Sequence, residues 1–191
     1  MKYDLKNGLG EEFVYAASGK VPYRPPFWQE ADGVSNDYPT PPEGWDNYQY
    51  VSAVLKSPVK LPVRLAIDTR FDSYGAPLIV FAEKLDTLPD GRLQYGKHYE
   101  AVLYEGGINL WQIEPQGGDK QRVTALCKAK LPFPANTWTR LECEITPNGI
   151  AARAGELTAQ AQCALPDTLF VGFTACEGIN HFRSFEVEEK N

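Results

Sequence analysis

The chain has 191 residues, a formal net charge of −6, 43% hydrophobic residues and 12% aromatic ones. That length can bury a substantial core without metal or disulfide staples, so one domain spanning residues 1–191 is expected. No Lys/Arg-rich run supplies the basic patch that phosphate backbones or anionic membranes require, which excludes nucleic acid and membrane surfaces as expected partners.

The opening Met1-Lys2-Tyr3-Asp4-Leu5-Lys6-Asn7 carries early charge and no apolar stretch of signal-peptide length. Nothing later reaches membrane-span length either, so a cytoplasmic location is expected. With 10 Tyr, 9 Phe and 4 Trp against a single Met, the composition favours strands and aromatic platforms over helical bundles.

Between Val21 and Gly44 the prolines 22, 25, 26, 39, 41 and 42 forbid helix and break ladder pairing, which predicts a long irregular loop over 21–44. From Trp45 onward, short β-like runs alternate with Gly, Pro, Asn and Asp, giving about ten strands in the rhythm of a sandwich or barrel. Val63, Leu65, Ile67, Thr69 and Phe71 fall on one face, and Arg64, Ala66, Asp68 and Arg70 on the other. The run Ala76 to Leu85 is nearly all apolar and reads as a separate central strand covered on both sides. His98 to Tyr104, then Gly106-Gly107, then Ile108 to Ile113 predicts a hairpin.

Further strands are expected at Arg122 to Lys130, Trp138 to Thr146, Ile150 to Ala154, Glu156 to Cys163, Leu169 to Ala175 and Phe182 to Glu188. Pro147-Asn148-Gly149 and Pro166-Asp167 are the intervening turns. The likeness of Tyr104-Glu105-Gly106-Gly107-Ile108-Asn109 to Cys176-Glu177-Gly178-Ile179-Asn180 reads as shared turn geometry rather than a repeat. Cys127, Cys143, Cys163 and Cys176 sit singly, never as Cys-x-x-Cys, and predict buried free thiols.

The half of the chain with Trp138-Thr139-Arg140-Leu141-Glu142-Cys143-Glu144-Ile145, Gly149-Ile150, Leu169-Phe170-Val171-Gly172-Phe173 and Phe182-Arg183-Ser184-Phe185 resembles the concanavalin A-like lectin/glucanase superfamily. The resemblance covers roughly Leu61 to Glu188 and rests on strand spacing and aromatic anchors. It implies an all-β, two-sheet antiparallel jelly roll whose concave face holds an oligo- or polysaccharide.

Sugars are held by aromatic rings against apolar C–H faces and by planar polar side chains that hydrogen-bond hydroxyl pairs. The candidate binding residues are therefore Trp28, Trp45 and Tyr48 from the aromatic-rich early segment, Arg64, Asp68, His98 and Glu100 from strand faces, and Trp111. His98 and Glu100 are two apart and share a strand side, which also makes them the catalytic candidates if the fold is a glycoside hydrolase or polysaccharide lyase. Glu142 and Glu144 share a face at about 7 Å, at the low end of the carboxylate spacing of an inverting glycosidase. Yet the Glu-x-Asp-x-x-Glu motif of the retaining glucanases is incomplete there. Arg64, His98 and Tyr104 are the residue types of a lyase site, without its strand motifs.

No cofactor is expected. If calcium bound, Asp32, Asn36, Asp37, Asp46 and Asn47 would be its oxygen donors, although such turn residues commonly cap local backbone. Carbohydrate recognition is the leading expectation, with an enzyme on the same fold, or a protein-interaction domain using the aromatic loop, as alternatives.

Overall fold

Burial with a period of two runs through most of the chain, as strands with one wet face require. The computed structural model describes residues 1–18, 26–39, 50–117 and 120–190. In chain order the strands are β1 (Lys2–Asp4), β2 (Phe13–Ala17), β3 (Trp28–Glu30), β4 (Gly33–Ser35), β5 (Val51–Leu55) and β6 (Val59–Lys60). Next come β7 (Val63–Ala82), β8 (Leu85–Thr87), β9 (Leu93–Tyr95), β10 (His98–Tyr104) and β11 (Gly107–Pro115). The rest are β12 (Gln121–Lys130), β13 (Thr139–Thr146), β14 (Gly149–Ala154), β15 (Leu157–Gln162) and β16 (Thr168–Glu189). Among the described residues the helical content is one 3-10 turn, Leu5–Asn7, capped by Asp4, whose carboxylate accepts from the Lys6 amide at 3.1 Å.

Where the sequence suggests two strands on either side of residues 72–75, and two more around 176–181, the structure has one long strand each. β7 has 20 residues and β16 has 22, and they pair antiparallel from Phe170↔Ala82 to Glu189↔Val63. Register shifts at Cys176/Gly178, Gly178/Asn180 and Phe182/Ser184 bend the pair in its middle. The Cys176-Glu177-Gly178 segment is thus a bulged bend inside a strand, with Glu177 at φ 50° and Gly178 at φ 62°, and not a hairpin turn.

Because of that bend the pair belongs to two sheets. The second half of β7 and the first half of β16 carry β10, β11 and β12 on one side and β5 and β2 on the other, with β9 and β8 following β2. The first half of β7 carries β13, β14 and β15, while the second half of β16 carries β1 and the β3–β4 hairpin. We refer to these as the first and second sheets. The β10–β11 hairpin forms where expected, Tyr104 opposite Gly107.

Between the sheets lie Val63, Leu65 and Ile67 of β7, Leu141, Cys143 and Ile145 of β13, and Tyr99, Ala101 and Leu103 of β10. Phe173 sits among rings, with centroids of Phe13, Phe27, Phe182 and Phe185 at 5.9, 5.3, 5.0 and 5.5 Å. In the segment 21–44 expected to be irregular, the described part contains the β3–β4 hairpin, docked on β16 through Val34↔Phe182 and Ser35↔His181. All four cysteines are free, but only Cys143 is fully buried; Cys127 faces the core from the edge strand β12, opposite Leu110, Cys163 follows the end of β15, and Cys176 lies at the bend of β16, so these three are half-buried. Among the described residues no helix is long and apolar enough to cross a membrane.

Phe173→Ala should destabilise the fold by about 3–5 kcal/mol, the usual cost of deleting a buried ring that its neighbours cannot fill. Urea unfolding with an unchanged slope would report it; a loss under about 1 kcal/mol would show that the ring cluster is not the centre of the core.

Candidate functional site

Tyr99, Ala101 and Leu103 of β10 point into the core, so His98, Glu100, Val102 and Tyr104 face the other way. In register, Glu100 lies between Val80 of β7 and Trp111 of β11. The outer face of the first sheet therefore carries Glu100 beside Trp111 without any long-range accident of folding. Lys128 of β12 places its ammonium 4.9 Å from the Trp111 ring centroid.

That face is concave. β10 and β2 are four strand steps apart in the sheet, which is roughly 19 Å if the sheet were flat. Yet Ser18, just after β2, has its Oγ 3.0 Å from His98 Nε2. Tyr95 tells the same story: its hydroxyl bonds Ser52 of β5 at 2.6 Å while its ring centroid is 5.3 Å from that of His98. The sheet curls until its far strands meet, and Tyr95 is folded down onto a floor of Val54, Leu78, Val80 and Val102.

Polar groups line this hollow. Ser52 Oγ is 2.6 Å from both the Tyr95 hydroxyl and the Thr174 hydroxyl. Tyr50 is buried beside them, near Thr174 but with no hydrogen bond of good geometry for its hydroxyl. His98 is fully buried; the Gly96 carbonyl accepts from Nδ1 at 2.8 Å, which leaves Nε2 to accept from the Ser18 hydroxyl. Glu100 Oε1 lies 3.7 Å from His98 Nε2, and the Glu100 side chain keeps 12% of its surface exposed. Burial first, and the Glu100 charge second, push the Cys176 thiol up to about 12, so it stays a neutral thiol. The same two causes raise the Tyr50 phenol well above its ordinary value; Tyr95 is also raised by burial and by Glu100, against a weaker opposing hydrogen bond from Ser52. All three groups therefore remain hydrogen-bond donors across the neutral range, around one carboxylate that can accept.

Of the residues expected to bind, His98, Glu100 and Trp111 come together here. Arg64 and Asp68 do not: they lie on the outer face of the second sheet, because residues 63–69 of β7 pair with β13 and not with β10. There Arg64 bonds Glu142, and Asp68 accepts from Arg140 at 3.1 Å and from the Ser184 hydroxyl at 2.8 Å. The lyase set of Arg64, His98 and Tyr104 is split between the sheets for the same reason. Glu142 is also held by Arg153; burial raises its pKa, but the two guanidiniums outweigh this and leave it below the ordinary carboxylate value. Glu144 pairs with Lys190 at 3.0 Å. Both glutamates are thus tied into ion pairs on the sheet opposite Glu100.

Trp28, 45% exposed, stands on β3 at the edge of the second sheet. Trp45 and Tyr48 lie outside the described residues, as do Asp46 and Asn47. Asp32 pairs with Lys6 at 3.2 Å, and Asn36 bonds the Gly178 carbonyl at 2.9 Å and the Asn180 amide at 2.8 Å. Among the described residues no group of three or more His, Cys, Asp and Glu is arranged to hold a metal ion. Sequence reading missed Ser18, Ser52, Tyr95 and Thr174. Ser52 and Thr174 did leave a trace, as the polar members of the otherwise apolar runs Val51–Leu55 and Leu169–Ala175.

The second histidine braces the hairpin edge. His181 Nδ1 is 2.8 Å from Glu30 Oε2 and its Nε2 is 2.9 Å from Asp72 Oδ1. Burial disfavours the charged ring, but the hydrogen bond and charge of Glu30 exceed that effect and raise its pKa. Glu30 is also partly buried, and its bonds to His181 and Ser35 bring its pKa below normal.

No family model matches the sequence, and no curated protein matches it. Solved structures do. Carbohydrate binding module CBM66 from Bacillus subtilis superposes with a TM-score of 0.65 at 12% identity, over 93% of this chain and 96% of that one. The Bacillus licheniformis beta-glucanase gives 0.60 at 12%, over 100% and 98%. The metal-free exoplasmic/lumenal domain of VIP36 gives 0.59 at 14%, over 98% and 90%. The chain has the concanavalin A-like jelly-roll fold of these proteins.

The His181 brace makes stability depend on pH with a known sign. His181 has a raised folded pKa, so its contribution is complete below the ordinary value near 6.5 and fades as pH rises through the folded one. Glu30 has a lowered pKa, so its contribution is complete above the ordinary value near 4.5 and fades on acidification. Thermal unfolding is expected to show the pair's full benefit between about pH 4.5 and 6.5, and His181→Asn should cost about 1–3 kcal/mol there and less at alkaline pH. Equal losses at pH 5.5 and 9 would refute the charged brace.

Proposed function

We propose that this protein binds an oligosaccharide across the concave face of the first sheet, with Glu100 and Trp111 as its principal contacts. The observation that carries this reading is Glu100 itself: one partly exposed carboxylate, paired in register with an indole, above buried hydroxyls that fix its surroundings. A carboxylate accepts from two vicinal hydroxyls at once, and an indole covers an apolar sugar face. The hydroxyls of Ser52, Tyr95 and Thr174, bonded to one another, with the Tyr50 phenol buried beside them, keep the floor rigid and polar.

The structural neighbours support this reading at the level of fold, since a carbohydrate binding module, a beta-glucanase and VIP36 in a Ca2+/Man-bound form share the sandwich. Binding is preferred to hydrolysis because Glu142 and Glu144, the carboxylates spaced for that chemistry, are engaged by Arg64, Arg153 and Lys190 on the opposite sheet.

A glycan array followed by calorimetry tests the proposal. Trp111→Ala should weaken the best neutral oligosaccharide by about 1.4 kcal/mol or more, tenfold in Kd. Glu100→Gln, which keeps shape and removes charge, should cost roughly 1.5–3 kcal/mol. Failure of every neutral glycan to bind at about millimolar concentration, the weak end of specific affinity, would overturn the assignment.

A further inference from the structure

Seven of the described arginines can be compared by their partners. Arg64, Arg92, Arg122, Arg140 and Arg153 each donate a hydrogen bond to a carboxylate. Arg70 and Arg183 do not. Arg70 comes no closer than 3.8 Å to Asp72, whose Oδ1 already serves His181 at 2.9 Å. Arg183 comes no closer than 3.7 Å to Asp68, which is engaged by Arg140 and Ser184. Arg70 Nε is, in addition, buried without any partner.

Both guanidiniums are held instead by one indole. The Arg183 carbon Cζ is 4.6 Å from the Trp138 ring centroid and that of Arg70 is 5.7 Å away. The backbone arranges this meeting. Arg70 lies opposite His181, and Thr69 lies opposite Thr139, so Trp138 falls beside Arg70 at the start of β13. Arg183 is the extra residue of the bulge between Phe182 and Ser184, where Phe182 and Phe185 both point into the core. The bulge turns Arg183 outward next to Ser184, a re-aiming that a regular strand would not permit.

Guanidiniums stacked on an aromatic ring with their N–H groups unspent are pre-organised for planar, two-pronged recognition of an oxyanion. We infer that Arg70, Trp138 and Arg183 form a second ligand site, on the outer face of the second sheet, that takes the carboxylate or sulfate-ester group of an acidic saccharide. The oxyanion chemistry follows from the cluster alone; the saccharide rests on the carbohydrate-binding reading above. A further aromatic stands on the same face: Trp28 is opposite Ser35, Ser35 opposite His181 and His181 opposite Arg70. Trp28 and Trp138 thus end a row across four strand steps, roughly 19 Å long, the span of a short oligosaccharide.

Calorimetry on the full chain distinguishes the possibilities, using oligogalacturonate, a sulfated galactan oligosaccharide, a neutral cello-oligosaccharide of equal length, and inorganic sulfate. At least one acidic oligosaccharide is expected to bind ten or more times tighter than the neutral one, about the discrimination of one good charged contact, and more weakly as salt rises. Which acid binds identifies the group recognised. The double variant Arg70→Gln/Arg183→Gln should lose that preference with its melting temperature little changed, and Arg70→Lys/Arg183→Lys should restore it only in part. Trp111→Ala should leave acidic binding intact, so that loss of the concave-face site and loss of this one are read separately. Equal affinity for acidic and neutral chains, indifference to both arginine variants, or inorganic sulfate binding as tightly as the oligosaccharide would each overturn the inference.

Discussion

The antiparallel pairing of β7 with β16 is the constraint from which the rest of the structure follows. Its register runs from Phe170↔Ala82 to Glu189↔Val63, so one continuous ladder forms the middle of both sheets. A ladder of that length cannot stay straight, because strand twist accumulates along it. The bulges around Gly178 and Arg183 release the twist as a bend, and the bend stacks one half of the ladder over the other. The core is what lies between the halves: Ile67 and Phe185 from one end, Phe81 and Val171 from the other.

The same bend decides which polar residues can cooperate. Arg64, Asp68 and Arg70 share a strand with Val80 and Ala82, but only the latter residues lie beside β10. This is why the alternation Val63 to Phe71 was legible in the sequence while its partnership with His98 and Glu100 was not: periodicity fixes the side a residue faces, not the strand it faces across. Local register, by contrast, was readable. The tight Glu105-Gly106 turn places Trp111 opposite Glu100, and that pair is the part of the site the sequence contained. Ser18 and Tyr95 reach the site only because the sheet curls and the β8–β9 segment folds over it, and no short-range signal encodes either event.

The two outer faces differ in electrostatic character. On the second sheet, Arg140 links Asp68 to Glu186, and Glu142 links Arg64 to Arg153, so charges of both signs are paired in a solvated lattice beside the Arg70–Trp138–Arg183 cluster. Such pairs contribute little each, and their value is in fixing side-chain positions. The concave face of the first sheet instead buries hydroxyls, which are satisfied by one another at Ser52, Tyr95 and Thr174. A charge placed there is less screened than one on the open face, and the Glu100 carboxylate accordingly reaches Tyr50, Tyr95 and Cys176.

Curvature and chemistry are therefore linked at a single place. The Ser18–His98 hydrogen bond closes one end of the hollow, and the Gly96 carbonyl fixes the His98 ring by binding Nδ1, so Nε2 is committed to Ser18. Nε2 is turned to the Ser18 hydroxyl and stays 3.7 Å from Glu100, beyond hydrogen-bond distance, so the carboxylate keeps its acceptor capacity for a ligand. The histidine that sequence reading marked as a catalytic candidate acts in this arrangement as a strut, and its neighbour Glu100 is left as the partly exposed acceptor of the concave face.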